Sequence, residues 1–212
     1  MSVTELPARS PAATARRAQV IAATVDVIAE EGYRAATFAR IAARAELSST
    51  RLISYHFADK GELMAAVVGY VVDAIGRYVG DRLTAVPTAA GALATYISAT
   101  VGFVDTHRAQ MTALLEIVLA GALTADDEDP TVAAGGAGEP RDLGSARHVE
   151  AILRRGVEAG EFRAMDAHVV AIAVQRAVEG LPFLLRTEPD LDVAAYGREL
   201  VTVFDLATRR AS

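Results

Sequence analysis

Residues 37–60, TFARIAARAELSSTRLISYHFADK, decide the fold of this chain. Thr37 is an N-cap by type, its hydroxyl suited to accept a free amide at a helix start. Phe38, Ile41, Ala42 and Ala45 follow at i, i+3, i+4 and i+7 and share one helical face. Glu46, Leu47 and Ser48 make a turn, and Ser48 or Ser49 is expected to cap the next short helix. In that helix Ile53 and Phe57 stand four apart on the buried face, with Arg51 and Tyr55 roughly opposite. A short helix buried on one side and presenting Arg, Ser, Thr, Tyr and His on the other suits a DNA major groove.

Outward from this stretch every segment reads as helix or connection, so the expected fold class is all-α. Residues 1–13 read as a flexible arm. A first helix is expected from about Thr14 to Glu31, buried through Val20, Ile21, Ala23, Val25, Val27 and Ile28 and ended by Gly32 as a left-handed C′ residue. Asp59 caps a fourth helix to about Leu83, Thr88 restarts a fifth to about Thr106, and a sixth is expected over Ala109–Leu123. Residues 124–142 are polar and Gly-rich and read as a loop. Their GGAG cluster is no phosphate loop, since no strand precedes it and no Lys-Ser/Thr follows. Further helices are expected over Asp142–Ala159, Ala167–Leu185 and Val193–Thr208, the last two apolar over broad surfaces in the way that calls for a packing partner.

The 212 residues are 52% hydrophobic, enough for a sizeable core. There is no cysteine, which removes disulfides and thiolate metal sites and fits a reducing cytosol. The first seventeen residues lack the apolar core of a secretory signal, so a cytoplasmic location is expected. No run is judged to approach the ~20 apolar residues of a membrane helix, and no membrane partner is expected. Net charge is −6. Residues 1–60 hold eight Arg/Lys against six Asp/Glu, a net of +2, and leave −8 for the rest. The acidic mass thus lies away from the DNA-facing segment, and the small positive excess predicts moderate salt dependence.

The order of motifs from about Arg16 to Leu63 resembles the TetR family of transcriptional regulators. An apolar helix ends in EEGY, then come T, IA-x-x-A, YHF and x-x-K-x-x-L. The resemblance covers the first third of the chain. It implies an N-terminal helix-turn-helix DNA-binding domain over 14–60, joined to a helical effector-binding and dimerisation domain over 61–212. It also implies a homodimer through the last two helices, and a bacterial source that the Ala- and Arg-rich composition matches. Two features depart from the family: Glu46 or Leu47 stands where the turn usually has Gly, and the stretch from Ala45 to Leu52 is one residue longer than the commonest version.

Arg51 and Tyr55 are the first candidates for DNA contact, a guanidinium for guanine O6 and N7 and a phenol for phosphate. Thr50, Leu52, Ser54 and His56 flank them, with Ser54 and His56 assigned to phosphate and Leu52 to a thymine methyl. Lys60, the one lysine in the chain, starts the fourth helix where free amides and an ammonium suit a phosphate. Thr37 adds a cap or phosphate contact, and Arg16 and Arg17 reach from the arm to backbone or minor groove. For an effector pocket the resemblance implies central helices, with Tyr70, Tyr96, Phe103, His107, Met111, Glu116, Gln175, Glu179 and Phe183 as candidates. Each has an ordinary core role as its alternative, and Arg176 and Arg186 are the internal partners that role would give the acids. The apolar character of this region suits a hydrophobic or amphipathic small molecule.

No HExxH, nucleophile elbow or Walker loop is present, and the four histidines are scattered, so no enzyme, cofactor or metal is expected. The sequence points to a homodimeric repressor released from a palindromic double-stranded operator by a small molecule, with the fourth helix as lever. Two alternatives remain: a DNA-binding regulator without a small effector, activating or controlled by a protein partner, and a helical protein that does not bind DNA.

Overall fold

The computed structural model describes residues 10–124 and 145–210, and it is all-α. α1 spans Pro11–Glu31, three residues longer at its start than expected. Ser10 Oγ accepts the Ala13 N–H at 3.3 Å, and Pro11 presets the helical φ at the first position, so residues 11–13 are helix and not arm. The remainder of the expected arm, residues 1–9, lies outside the described residues. Gly32 ends α1 with φ 87° and ψ 165°. This is a positive-φ extended conformation open to glycine almost alone, and differs from the left-handed helical geometry expected there. A 3-10 turn at Tyr33–Ala35 leads to α2, Phe38–Arg44, and then to α3, Arg51–His56.

α4, Lys60–Leu83, is capped by the Asp59 carboxylate, which accepts the Glu62 N–H at 2.8 Å. α5 spans Ala89–Thr106 behind the Thr88 cap, and α6 spans Arg108–Thr124. The loop expected over 124–142 lies outside the described residues from 125 onward. α7 is described over Ser145–Glu158, and the expected start near Asp142 lies outside the described residues.

The helix expected over Ala167–Leu185 is divided into α8, Ala167–Glu179, and α9, Leu181–Thr187. The cause is Pro182, which has no N–H to offer the Val178 carbonyl one turn back. α10 runs Val193–Thr208 as expected, with Asp192 Oδ1 accepting the Ala195 N–H at 2.8 Å.

The buried apolar side chains form two clusters. One joins α1, α2, α3 and the first half of α4 through Val20, Ile28, Ile41, Ile53, Phe57 and Leu63, each fully buried. Burying one such side chain contributes about 1.5–3 kcal/mol, which is how helices of six and seven residues hold their shape. Ala113 and Ile117 of α6 belong to the same cluster, so α6 reaches back onto α1.

The other cluster is built around α5, which packs on α4, α7, α8 and α10. Gly197 lets α10 come close to α5, since a Cβ there would stand 3.0 Å from Val101 Cγ1. The link after α7 ties the ends together. Glu161 accepts the Ala90 N–H at 3.1 Å at the start of α5, and the Arg163 N–H donates to the Thr208 carbonyl at 3.0 Å.

Two segments, Lys60–Leu83 and Ala167–Thr187, reach the length and apolar content of a membrane-crossing helix, contrary to the expectation that none approaches it. Neither segment is an uninterrupted apolar run; both meet the criterion on average, with scattered Gly and charges. α4 is packed against α1, α5 and α6. The second segment exposes Val169, Ile172 and Phe183.

Candidate nucleic-acid interface and effector pocket

The turn between α2 and α3 is built from the backbone. The Leu47 N–H bonds the Ala42 carbonyl at 2.9 Å and the Glu46 N–H bonds the Ala43 carbonyl at 3.2 Å. This pair of bonds closes a helix C-terminus and puts its C′ residue in the left-handed region. That residue is Glu46, at φ 53°, where glycine would sit without strain. Gln19 of α1 holds the same turn, its amide donating to the Ala45 carbonyl at 2.8 Å.

α3 begins after Thr50, and neither Ser48 nor Ser49 caps it, contrary to expectation. Thr50 itself has helical φ and ψ, so the helix is entered gradually and offers no fixed N–H for a serine oxygen.

α3 divides by face as its sequence spacing requires. Ile53 and Phe57 are fully buried, while Thr50, Arg51, Leu52, Ser54 and Tyr55 are exposed, Tyr55 at 80%. His56 is the correction: at 8% exposure it belongs to the buried side and not to the phosphate-facing flank. It follows Ile53 by three residues, which brings it under the helix, and its ring meets the Tyr55 ring edge-on at 5.1 Å.

The charges around this unit are partly committed. Arg40 donates to both carboxylate oxygens of Glu31 at 2.6–2.9 Å, and Arg44 is paired with Glu30. The guanidinium bonds hold both glutamates below the usual carboxylate range. These pairs tie α1 to α2, and being exposed they contribute little stability. They do neutralise two of the arginines behind the positive excess of residues 1–60.

Arg51 makes no ion pair among the described residues. Lys60 Nζ donates to the Tyr33 carbonyl at 3.0 Å and lies 4.1 Å above the Tyr33 ring. Partial burial there pushes its pKa down. The ammonium is thus folded onto Tyr33, and the expected phosphate contact requires it to swing outward. Arg16 donates to Gln19 Oε1 at 2.7 Å, and the Arg17 guanidinium lies 4.6 Å over the Phe57 ring. Thr37 caps α2, its hydroxyl accepting the Arg40 N–H at 3.2 Å, and remains exposed.

The residues proposed for an effector pocket do not come together. Met111 and Glu116 line a half-open cavity of about 190 Å³ between α5, α6 and α9. Its apolar wall is Val104, Met111, Leu115, Pro182 and Leu185, and its polar groups are Arg108, Thr112, Glu116 and Arg186.

Tyr96, Gln175 and Glu179 instead form a hydrogen-bonded chain between α5 and α8. The Tyr96 hydroxyl donates to Gln175 Oε1 at 2.8 Å, Gln175 Nε2 donates to Glu179 Oε1 at 2.5 Å, and Arg176 pairs with Glu179 at 2.8 Å. Burial of Tyr96 and Gln175 makes this chain a core feature, each polar group meeting the partner that burial demands.

Phe103 and His107 stack on each other at 4.1 Å with Tyr78 edge-on to both. Tyr70 receives the Gln110 amide at 3.5 Å, and Phe183 is exposed on the surface. A second, shallow groove between α4 and α5, lined by Tyr78, Arg82 and small residues of α5, is open to solvent.

Sequence reasoning missed Arg108 and Thr112 as lining residues, and saw Arg186 only as an internal partner for the acids in general; the structure pairs it with Glu116 at 3.2 Å. No sequence signal distinguishes these from ordinary polar positions on a partly exposed helix.

Among the described residues, large apolar side chains are exposed on α8 (Val169, Ile172), α9 (Phe183), α10 (Val203, Leu206) and α6 (Val118). No group of three or more His, Asp or Glu is placed to hold a metal ion among them.

A family profile described as bacterial regulatory proteins, tetR family, matches residues 20–67. The HTH-type transcriptional regulator BetI of Klebsiella pneumoniae is 43% identical over 72 residues, 34% of this chain and 36% of its own length. The chain therefore spans about a third of the length of the curated relatives it matches.

Solved structures extend the likeness across the whole fold. A transcriptional regulator from Saccharomonospora viridis in complex with choline superposes with a TM-score of 0.75 at 19% identity, covering 93% of this chain and 100% of the other. AibR in complex with isovaleryl coenzyme A and operator DNA superposes with a TM-score of 0.67 at 16% identity, covering 89% and 97%. At these identities the likeness establishes the fold alone.

Proposed function

We propose that this chain, a member of the tetR family of bacterial regulatory proteins by its residues 20–67, is a DNA-binding transcriptional regulator that works as a homodimer. The observation that carries this reading is α3. Ile53 and Phe57 root the helix in the N-terminal cluster, while Arg51 and Tyr55 project from its outer face, held for base and phosphate contact. Val169, Ile172, Val203 and Leu206 supply an apolar face for a second copy, and two copies place two α3 helices on successive half-sites of a near-palindrome.

The protein is a repressor released by a small effector in the cavity between α5, α6 and α9. α6 carries the signal. Met111, Thr112, Leu115 and Glu116 face the cavity, and Ala113 and Ile117, on the other side of the same helix, sit in the N-terminal cluster. This replaces α4 as the principal lever, since α4 gives that cavity none of its lining. The effector shifts the population only by binding one arrangement of α6 more tightly than the other. Relatives whose structures contain isovaleryl coenzyme A with operator DNA, or choline, support the general scheme.

The cavity is smaller than the roughly 300–1,000 Å³ usual for ligand sites. That favours, as a second reading, a DNA-binding regulator controlled by a protein partner.

Selection from randomised duplex DNA by the full chain tests the core of the proposal. The expected result is an enriched palindrome whose binding falls about tenfold or more in Arg51→Ala with helicity unchanged. A folded, dimeric protein that enriches nothing, alone or with cell extract added, overturns it.

A further inference from the structure

We propose that the cavity between α5, α6 and α9 takes a short-chain monocarboxylate, bound through Arg186. This rests on the effector reading above and names the ligand class. The cavity already contains its own carboxylate: Glu116 of α6 pairs with Arg186 of α9 at 3.2 Å, both in its lining. A guanidinium recognises a carboxylate by two parallel N–H donors, a geometry that an incoming acid reproduces when Glu116 gives way.

The lining bears two guanidiniums, Arg108 and Arg186, and one carboxylate, Glu116. Arg108 keeps a partner at the rim, Asp105 at 2.8 Å, which leaves Arg186 as the group that changes partner. Behind the charged groups lie Val104, Met111, Leu115 and Leu185, which suit an unbranched or short branched alkyl tail. A volume near 190 Å³ holds roughly six water-sized groups at ~30 Å³ each. A four-carbon acid has about that many non-hydrogen atoms, and the half-open cavity lets a five- or six-carbon tail extend past it.

None of the lining side chains is aromatic. A quaternary ammonium would find no ring faces there and would depend on Glu116 alone.

The same exchange supplies the switch. The Glu116–Arg186 pair joins α6 to α9, and α6 presents Ala113 and Ile117 to the N-terminal cluster. A carboxylate that takes Arg186 removes this one link between α6 and α9 and, bound between them, biases how α6 sits against α1.

Titration calorimetry of the full-length protein with hexanoate, and with choline as the cation of comparable size, tests this. The expected result is saturable hexanoate binding, weakened about tenfold or more by Arg186→Gln and strengthened by Glu116→Gln, which removes the internal competitor. Arg82→Gln, in the open groove, leaves it unchanged, and helicity is confirmed for every variant. Opposite signs at Arg186 and Glu116 separate a ligand exchange from loss of a structural ion pair, which would move both variants the same way.

Hexanoate that fails to bind, or that binds indifferently to Arg186→Gln, overturns the proposal. Choline binding lost in Glu116→Gln overturns the ligand class and leaves an effector pocket standing. Absence of binding by either compound, in a protein that still selects a palindrome, overturns this proposal without touching the DNA-binding one.

Discussion

Gly156 gives the sharpest test of the packing described here. It lies near the end of α7, where the Phe162 N–H returns to its carbonyl at 3.0 Å. A Cβ built on Gly156 would stand 2.1 Å from Phe162 Cδ2, 2.4 Å from Cε2 and 2.9 Å from Ala89 Cβ. None of these neighbours can yield cheaply. Phe162 is 5% exposed and Ala89 is fully buried at the start of α5.

Gly156→Ala therefore unseats the Phe162 ring, losing much of the about 1.5–3 kcal/mol that burial of such a side chain contributes. Against this stands the helix propensity of Ala over Gly, about 1 kcal/mol. The net is a destabilisation of about 0.5–2 kcal/mol, or a fall in Tm of roughly 1–8 °C for a chain of this size.

Gly76→Ala, in the middle of α4 with nothing within 4 Å of the new Cβ, has the same propensity gain without the clash. It is expected to stabilise by about 0.5–1 kcal/mol. Urea denaturation followed by circular dichroism at matched protein concentration reads both. A Gly156→Ala protein as stable as the parent would refute the account of how α7, the Phe162 link and α5 meet.

Three other outcomes are expected. Glu46→Gly relieves the φ of 53° at the α2–α3 turn and raises the urea midpoint by the equivalent of up to about 1 kcal/mol, part of the roughly 1–2 kcal/mol left-handed cost being offset by greater freedom of the unfolded chain; an unchanged or lowered midpoint would show that Glu46 is held by contacts outweighing its strain. Bonds from the Ala90 and Ala89 N–H groups hold the Glu161 carboxyl below its ordinary 4.5. Its stabilisation is therefore full above the unfolded value and is lost as pH falls through the lower folded value, so Glu161→Gln should show a shallower loss of stability than the parent between pH 5 and 3 in urea titrations, and identical slopes would count against that cap. Leu206→Arg, on the exposed apolar face of α10, is expected to give a monomer by light scattering with helicity retained; a persistent dimer would place the interface elsewhere.

Most of the helices could be read from sequence because each has a local cause. Thr37, Asp59 and Thr88 announce helix starts through side-chain oxygens that need only a neighbouring N–H. The spacing of Ile53 and Phe57 states which side of α3 is buried. Errors arose where a local signal competed with another or where the partner was remote. Ser10 and Pro11 begin α1 earlier than the first apolar residue suggests, and Pro182 divides a helix that apolar content alone makes continuous. Residue type suggests an outward His56, although its position three residues after Ile53 already puts it inward. The effector candidates were chosen for being polar or aromatic within apolar helices. That criterion is met equally by a buried hydrogen-bonded chain, Tyr96–Gln175–Glu179, by an aromatic stack, Phe103–His107, and by a pocket wall, Met111 and Glu116.

The sequence by itself determined the all-α class, the helix-turn-helix and its exposed Arg51–Tyr55 face, and the apolar helices at the C-terminal end. These follow from caps and from a period of 3.6, interactions that close within a few residues. Only the tertiary structure decided that Lys60 folds onto Tyr33, that Arg40 and Arg44 are spent on Glu31 and Glu30, and that Arg186 meets Glu116 across a cavity. Tertiary packing also decided that α6 serves the cavity with one face and the N-terminal cluster with the other. Those partners lie on different helices, and which charges meet depends on how the helices pack, a quantity no local periodicity encodes.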